Sequence, residues 1–600
     1  MNFSTIKKAN WIVATVLLAT SGMLATSCSK DKNAPVEQGS EHEGTNLVLS
    51  VSGINENNDT VVKQGSTNGK AAKYNVQSFS DVDVATTVDN NVPFVSASGI
   101  AVKGYNGSSQ VAAAGSNLRA ALASGVTYRL YLLSSDGTQV ISSQQFTVGG
   151  SGTIAVTPGT TYKWVALSYN NQDAIPTITT GNTSLLMPQN KDILYASGNI
   201  TVPSTPGSNV SLPITFNHAF SRLAIELNSM GVFGPMNSGT VSVTGLTLRT
   251  GTINLATGAI TPEATTFTPT VNWSSFTNID PAYSDAKIVY AYTAGTTAIN
   301  NIGVSVSNLA ITHRDNNTAR TYGSATPINM TFSVTPELGK SHRLLANIVE
   351  STLTSSRNTV KWARSNLYYD PSVDNGHNPY RFYANNTQTA TTDGRGYFSF
   401  GSAIPRKFVS STVAKQDPCA LIYPQGLWKQ PSNTDFAPYT TGNGLLADVL
   451  GNLLALVIPA PAPGASGLGT NYMQYTLAAS NNGSGNPAFG ANSNVLRFYH
   501  NGEITNVNVL TDFGSDGLVT LNLGNSYGNE TAYWTNVSAV NLLGLAGLGG
   551  WGFHGANKST ALGSQFVGAL GTAELLANVD LLGLNVVSST FKNVRCVRAN

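Results

Sequence analysis

What most constrains this chain is the absence of helical periodicity ahead of residue 440. Short runs of alternating apolar and polar residues take its place, separated by Gly, Asn and Thr. A period of two fits half-buried strands, and turn formers between them fit hairpins. Alternation starts at Asn46-Leu-Val-Leu-Ser-Val-Ser. Thr127-Tyr-Arg-Leu-Tyr-Leu-Leu, then Ser134-Ser-Asp136-Gly137 and Thr138-Gln-Val-Ile-Ser, spell a hairpin, since Asp-Gly supplies the positive φ of a tight turn. Repeated short strands of this kind predict β-sandwiches. At 600 residues, three or four domains are expected. Residues 442–460, with Leu445-Leu-Ala-Asp448-Val-Leu, form the best helix candidate, but Asp448 and the length argue against a membrane span.

Charge narrows the function classes. Lys and Arg number 33 against 31 Asp and Glu, and charged residues are only 11% of the chain. Nucleic-acid binders depend on a concentrated basic field, so no nucleic-acid partner is expected. The 58 glycines and 41% hydrophobic content, in strand-like alternation, fit an extracellular β-protein and argue against disorder.

The N-terminus reads as an export and anchoring signal. Lys7 and Lys8 precede the apolar stretch from Trp11 to Ala25, followed by Thr26, Ser27 and Cys28. A basic start and an apolar run of this length make a signal peptide over residues 1–27. Ala25-Thr26-Ser27-Cys28 resembles the lipobox of bacterial lipoproteins. The resemblance implies diacylglycerol on the Cys28 sulfur and an acylated amino end, with chains such as palmitate holding the protein in outer-membrane lipid. Ser29 lacks the Asp that retains lipoproteins at the inner membrane, which favours a surface-exposed outer-membrane protein. Residues 28–45 form the acylated cysteine and a polar tether.

Asp192-Ile-Leu-Tyr195-Ala196, followed by Ile214-Thr-Phe216-Asn217-His218-Ala219-Phe220-Ser221-Arg222-Leu223, resembles the fimbrillin family of Bacteroidetes surface lipoproteins. Thr161-Tyr162 to Asn170 fits the end of that family's first domain, and Gly339-Lys-Ser-His-Arg343-Leu-Leu-Ala-Asn-Ile the last strand of its second. The resemblance implies two transthyretin-like β-sandwiches, over 46–205 and 206–352, and a role in pilus-associated cell adhesion with other fimbrillin subunits as partners. Fimbrillin shaft subunits lose their first strand to an Arg-specific protease. No Arg stands between Cys28 and Arg119, a departure that argues against a shaft subunit and for a tip, anchor or stalked adhesin.

A shift in character follows. Trp362-Ala363-Arg364-Ser-Asn366-Leu367, Tyr397-Phe398-Ser-Phe400-Gly401, Asp417-Pro418-Cys419, Gly426-Leu-Trp428, Tyr533-Trp534-Thr535 and Val594-Arg595-Cys596-Val597 resemble, in that order, the major paralogous domain first described in Fibrobacter. Phe400 and Lys429-Gln430 depart from its pattern. The resemblance implies a C-type-lectin-like α+β module over 358–600, giving a mainly β chain overall. With Cys28 acylated, Cys419 and Cys596 are the remaining cysteines, and in an exported protein such a pair is expected to form a disulfide.

Candidates for chemistry are weak. His218 is readable as a metal ligand or base, but no His, Cys or carboxylate accompanies it at ligand spacing, so a hydrogen-bonded structural role is expected. Gly550-Trp-Gly552-Phe-His-Gly555 matches G-x-G-x-x-G without the acidic residue a dinucleotide site needs. Asp370, Asp374 and Asn375 lack a calcium-loop pattern. No cofactor, metal site or enzymatic activity is expected. Tyr533, Trp534 and Trp551 are candidate ligand-binding residues, because aromatic faces stack on sugar rings, although burial in the module's core is the competing expectation. A surface glycan-binding lipoprotein serving nutrient uptake is the alternative function, and a polymerising shaft subunit a second.

Overall fold

The computed structural model describes residues 44–56, 74–90, 92–94, 119–178, 183–407, 415–440, 465–469, 471–478, 495–510, 519–525, 527–528, 530–538, 550–560, 563–573, 578–581 and 584–599. The leader, Cys28 and the 442–460 helix candidate lie outside the described residues. The described chain is mainly strand.

The first unit is one eight-stranded sheet that curls on itself. Its order runs from Val140–Thr147 through Thr127–Leu133, Thr161–Ser168, Leu194–Thr201 and Asn209–His218 to Asn46–Asn55. At the far side Gly152–Ala155 pairs with Asn46–Asn55. Since residues 148–151 join Gly152–Ala155 directly to Val140–Thr147, the two ends of the sheet meet. Leu47, Leu130, Leu132, Ala166, Ile214 and Phe216 fill the interior. The expected hairpin is present, with Gly137 at φ 76° and the Asp136 carboxylate accepting from Thr138 N at 3.1 Å. A small sheet of Ser184–Leu186, Gly251–Asn254 and Ile260–Pro262 belongs to the layer outside, where Tyr131, Val165, Ile253 and Leu255 share a second core.

The second unit is a two-sheet sandwich. A six-stranded sheet, ordered Thr277–Asp280, Tyr283–Thr293, Ser221–Gly231, Ser341–Val349, Asp83–Asp89 and Asn75–Ser78, faces a four-stranded one built on Ile299–Thr312. Strand Ile328–Val334 alternates strictly between buried and exposed, as a strand with one face on a core must. Leu223, Ile225, Val304, Val306, Met330, Leu344 and Ile348 lie between the sheets.

This topology corrects the expected division at residue 205. Strands Asn75–Ser78 and Asp83–Asp89 belong to the second sandwich, while Asn209–His218 lies parallel to Asn46–Asn55 in the first sheet. The units exchange strands across the expected boundary.

The C-terminal module follows without a break. Leu353–Thr354, Lys361–Trp362, Val597–Arg598 and Trp428–Lys429 make one sheet, joining residues just beyond the second sandwich to those nearest residue 600. Further antiparallel sheets use Tyr472–Tyr475 with Leu496–Tyr499, Ile504–Leu510 with Leu584–Phe591, and Glu530–Ser538 with Gly550–Thr560. Among the described residues the α-helical part of the expected α+β module is one turn, Asn433–Phe436, closed by a Ser432/Asp435 capping box.

Candidate functional site

The best-developed site is the junction between the second sandwich and the C-terminal module. Ala85, Phe233 and Val349 of the sandwich share a core with Leu367, Phe382, Phe398, Ile422, Trp428 and Trp534 of the module. Phe233, at φ 62°, meets the Phe382 ring edge-on at 5.3 Å. Gly231 sits where the two parts come closest: a Cβ there would lie 2.6 Å from Val349 Cγ1 and 3.2 Å from the Tyr423 carbonyl.

Several polar groups pair across this junction. Asn228 donates to the Tyr423 hydroxyl at 2.9 Å, and Asn378 to the Met230 carbonyl at 2.8 Å. Asp285, on Tyr283–Thr293, takes Arg314 at 2.6 Å and His377 Nε2 at 2.8 Å. Burial works to raise the Asp285 pKa, but hydrogen bonds from His377 and Arg314 outweigh it and hold the carboxyl below its usual range. The His377 ring stacks on Tyr283 at 3.8 Å, and Arg314 also pairs with Asp374. Arg598 reaches back to the Asp83 carboxylate at 2.7 Å and the Glu350 carbonyl at 2.9 Å, lying 3.9 Å over Trp428. Glu350, fully enclosed, has its pKa raised by burial, partly offset by Arg320, Arg364, Arg595 and Arg598. Desolvation lowers Arg364 and Arg595 to about 10. Such desolvated ions hold a defined geometry because each must keep its partners.

Cys419 and Cys596 form a disulfide within this shared core, with Cα atoms 5.7 Å apart. The local sequence prepares it: Asp417 caps the turn Pro418–Leu421, accepting from Cys419 N at 2.8 Å and from Gln430 N at 2.8 Å.

Two of the aromatic candidates are corrected. Tyr533 and Trp534 are 1% and 2% exposed, so neither face is open to a sugar. Trp534 donates its indole N–H to the Phe398 carbonyl at 2.7 Å, and Tyr533 packs with Trp362, Phe436, Phe498 and Phe553. Trp551 is half-buried against the same cluster. Strand Glu530–Ser538 is covered on both faces from Thr531 to Thr535, which places Tyr533 and Trp534 indoors together. Gly550 to Gly555 lies inside strand Gly550–Thr560, not in a phosphate-binding turn.

His218 ends strand Asn209–His218, where the first sheet hands over to the second unit. Its Nδ1 meets Asp192 at 2.8 Å, Nε2 lies 3.8 Å from Glu56, and Phe94 stacks on the ring at 3.5 Å. Burial lowers the imidazole pKa, but Asp192 and Glu56 together overcome this and raise it. Both carboxylates are remote in sequence, which is why spacing hid them. Among the described residues no group of three or more His, Cys, Asp or Glu side chains is placed to hold a metal. Asp370 pairs with Arg395 at 3.0 Å, and Asp374 with Arg314, so neither belongs to a calcium loop. An open groove of about 410 Å³ runs between residues 86–89 and 331–333, with threonine and serine making half of its lining.

No protein-family model matches the chain, and no curated protein does. Among solved structures, similarity is found to the fimbrial anchor protein Mfa2 from Porphyromonas gingivalis at 9% identity, covering 36% of this chain and 77% of that one with a TM-score of 0.21. A fimbrial assembly protein from Parabacteroides distasonis ATCC 8503 aligns at 11% identity over 39% of this chain and 86% of that one, with a TM-score of 0.22. At such TM-scores the superpositions carry no argument.

Proposed function

We propose that the chain is a surface adhesin of fimbrillin type, held in the outer membrane through acylated Cys28. Its curled sheet and sandwich carry the C-terminal module outward, as a stalked adhesin or a pilus tip or anchor component. The observation that carries this reading is the junction: a shared apolar core, crossed by Asp285–Arg314–His377 and Arg598–Asp83, with no linker between stalk and module. A module that must transmit pull from a ligand to an anchored N-terminus needs such continuity, whereas a tethered capture domain does not. The order of motifs from Asp192 to Arg343 and the lipobox at Cys28 support it further. Val597–Arg598 pairs on both sides within its sheet, which weighs against service as a free donor strand in a shaft.

Two measurements test the reading. Metabolic labelling with a palmitate analogue is expected to mark the wild-type chain in the outer membrane and to miss Cys28→Ala, which is released in soluble form. The released chain, with both sandwich and module present, is then applied to glycan and matrix-protein arrays. Specific retention supports an adhesin; a folded chain that binds nothing while co-purifying with fimbrial subunits makes it an assembly component instead.

A further inference from the structure

A cluster of titratable groups in the C-terminal module plays no part in the junction. Strands Ile504–Leu510 and Leu584–Phe591 are antiparallel, with Ile504 opposite Phe591. One step beyond that pair the register sets Glu503 opposite Lys592, and the ammonium is in contact with the Glu503 carboxylate. The Lys592 side chain is 0% exposed. Its backbone is clamped by paired hydrogen bonds with Phe398, at 2.9 and 3.0 Å, and its Nζ lies 5.2 Å over the Trp534 ring. Gly552 leaves the lane for its stem: a Cβ there would stand 3.2 Å from Lys592 Cε.

His554 completes the arrangement. Its Nε2 is 3.2 Å from Lys592 Nζ, and its Nδ1 pairs with Glu530. A carboxylate only accepts, so Nδ1 carries the proton and Nε2 is left as the acceptor facing the lysine. Burial favours the neutral amine, pushing the Lys592 ammonium down to about 7. A neutral amine is a nucleophile, and here it is buried in contact with the Glu503 carboxylate, beside a base.

We propose that Lys592 and Glu503 condense into an intramolecular amide cross-link, with His554 as the proton carrier and Glu530 positioning it. The ammonium gives a proton to His554 Nε2, and the nitrogen lone pair attacks Glu503 Cδ. His554 returns that proton to one carboxylate oxygen and relays a second from the attacking nitrogen to the same oxygen, and the C–O bond breaks with water as the leaving group. Of the three ammonium protons, one stays on the amide and two leave with one carboxylate oxygen as water, so atoms and charge balance with no co-reactant. Amine and acid free in water would not condense, but contact held by a fold is worth effective molarities of roughly 10⁵ M or more. Glu503 keeps a quarter of its side chain exposed, which gives the water product an exit. The link would fasten the mouth of the Ile504–Leu510 ladder, as the disulfide fastens Cys419 to Cys596.

Intact mass spectrometry of the full Cys28→Ser chain, reduced and denatured, is the deciding experiment. The expected mass is one water below that of the sequence, and digestion is expected to yield a branched peptide joining the segments around Glu503 and Lys592. His554→Gln is expected to slow formation by about 10²-fold or more, read as linked fraction against time. A full-mass wild-type chain, with Lys592 acetylated by reagent once unfolded, would mean an ion pair only and would overturn the proposal. A missing water mapped to any other pair of residues overturns it equally. Because the wild-type mass decides, a variant that fails to fold leaves the answer intact.

Discussion

Single side chains at the unit boundaries bury charge deeply enough for one substitution to be consequential. Asp285 is 1% exposed in its side chain and is contacted by Arg314 and His377 from different parts of the fold. Replacing it by Asn leaves Arg314 and His377 buried against a neutral amide. Removing one partner of a buried pair costs about 3–5 kcal/mol, so Asp285→Asn is expected to lower the urea midpoint by the equivalent with an unchanged m-value. An unchanged midpoint would show the pair to be dispensable. His218 offers a pH signature. Its folded pKa is raised above the unfolded value near 6.5, so its stabilisation is full below that pH and is lost as pH rises through the folded value. The stability gap between wild type and His218→Gln is thus expected to be widest below about pH 6.5 and to narrow as pH rises above it. A gap that widens with pH would contradict the assignment.

At the level of elements, the disulfide has the clearest measurable effect. Cys419 and Cys596 are 177 residues apart. Closing a loop of that length removes unfolded-state entropy worth about 5 kcal/mol in the chain-entropy model. Cys419→Ser with Cys596→Ser is expected to lower the thermal midpoint that the module shares with the second sandwich while the curled first sheet melts as before. What was legible in the sequence follows the same division between local and distant. The strand Ser341–Val349, which does not alternate, was expected only through the family resemblance, whereas the hairpin at Thr127–Leu133 was readable because turn chemistry and alternation are local. Strand Asp83–Asp89 was not, since its partner Ser341–Val349 is some 250 residues away and no neighbouring residue signals the pairing. The pairing of Cys419 with Cys596 was readable from elimination, but the arginines around it were not. Arg364, Arg381 and Arg595 are fully buried, held largely by neutral oxygens such as the Ser351 carbonyl and the Asn366 and Asn386 side chains. Composition counts a charge and says nothing of where it lies. The same limit applies to Tyr533 and Trp534, whose residue types suit a sugar platform and a core equally well.

Over the whole molecule, the junction decides how force and unfolding propagate. The core that joins Phe233 and Val349 to Phe382 and Trp428 belongs to neither part alone, and cutting the chain near residue 355 would expose it on both. The second sandwich and the C-terminal module are therefore expected to unfold in one calorimetric transition, with the curled sheet free to give another. Gly231→Ala is the discriminating variant. Its Cβ would press on Val349 Cγ1 at 2.6 Å, the Ile348 carbonyl at 2.8 Å and the Tyr423 carbonyl at 3.2 Å, three contacts of which two are backbone and cannot turn aside. Two of these contacts come from the sandwich's own strand Ser341–Val349 and one from the module, so relief displaces that strand together with the module resting on it; the shared transition is expected to fall and to split, the module melting first. If the wild type already shows the module melting alone, the junction does not couple the two parts, and the continuity on which the adhesin reading rests is lost. If one transition splits only in Gly231→Ala, a pull on the module must reach the sandwich before either part yields, as an anchored adhesin under load requires.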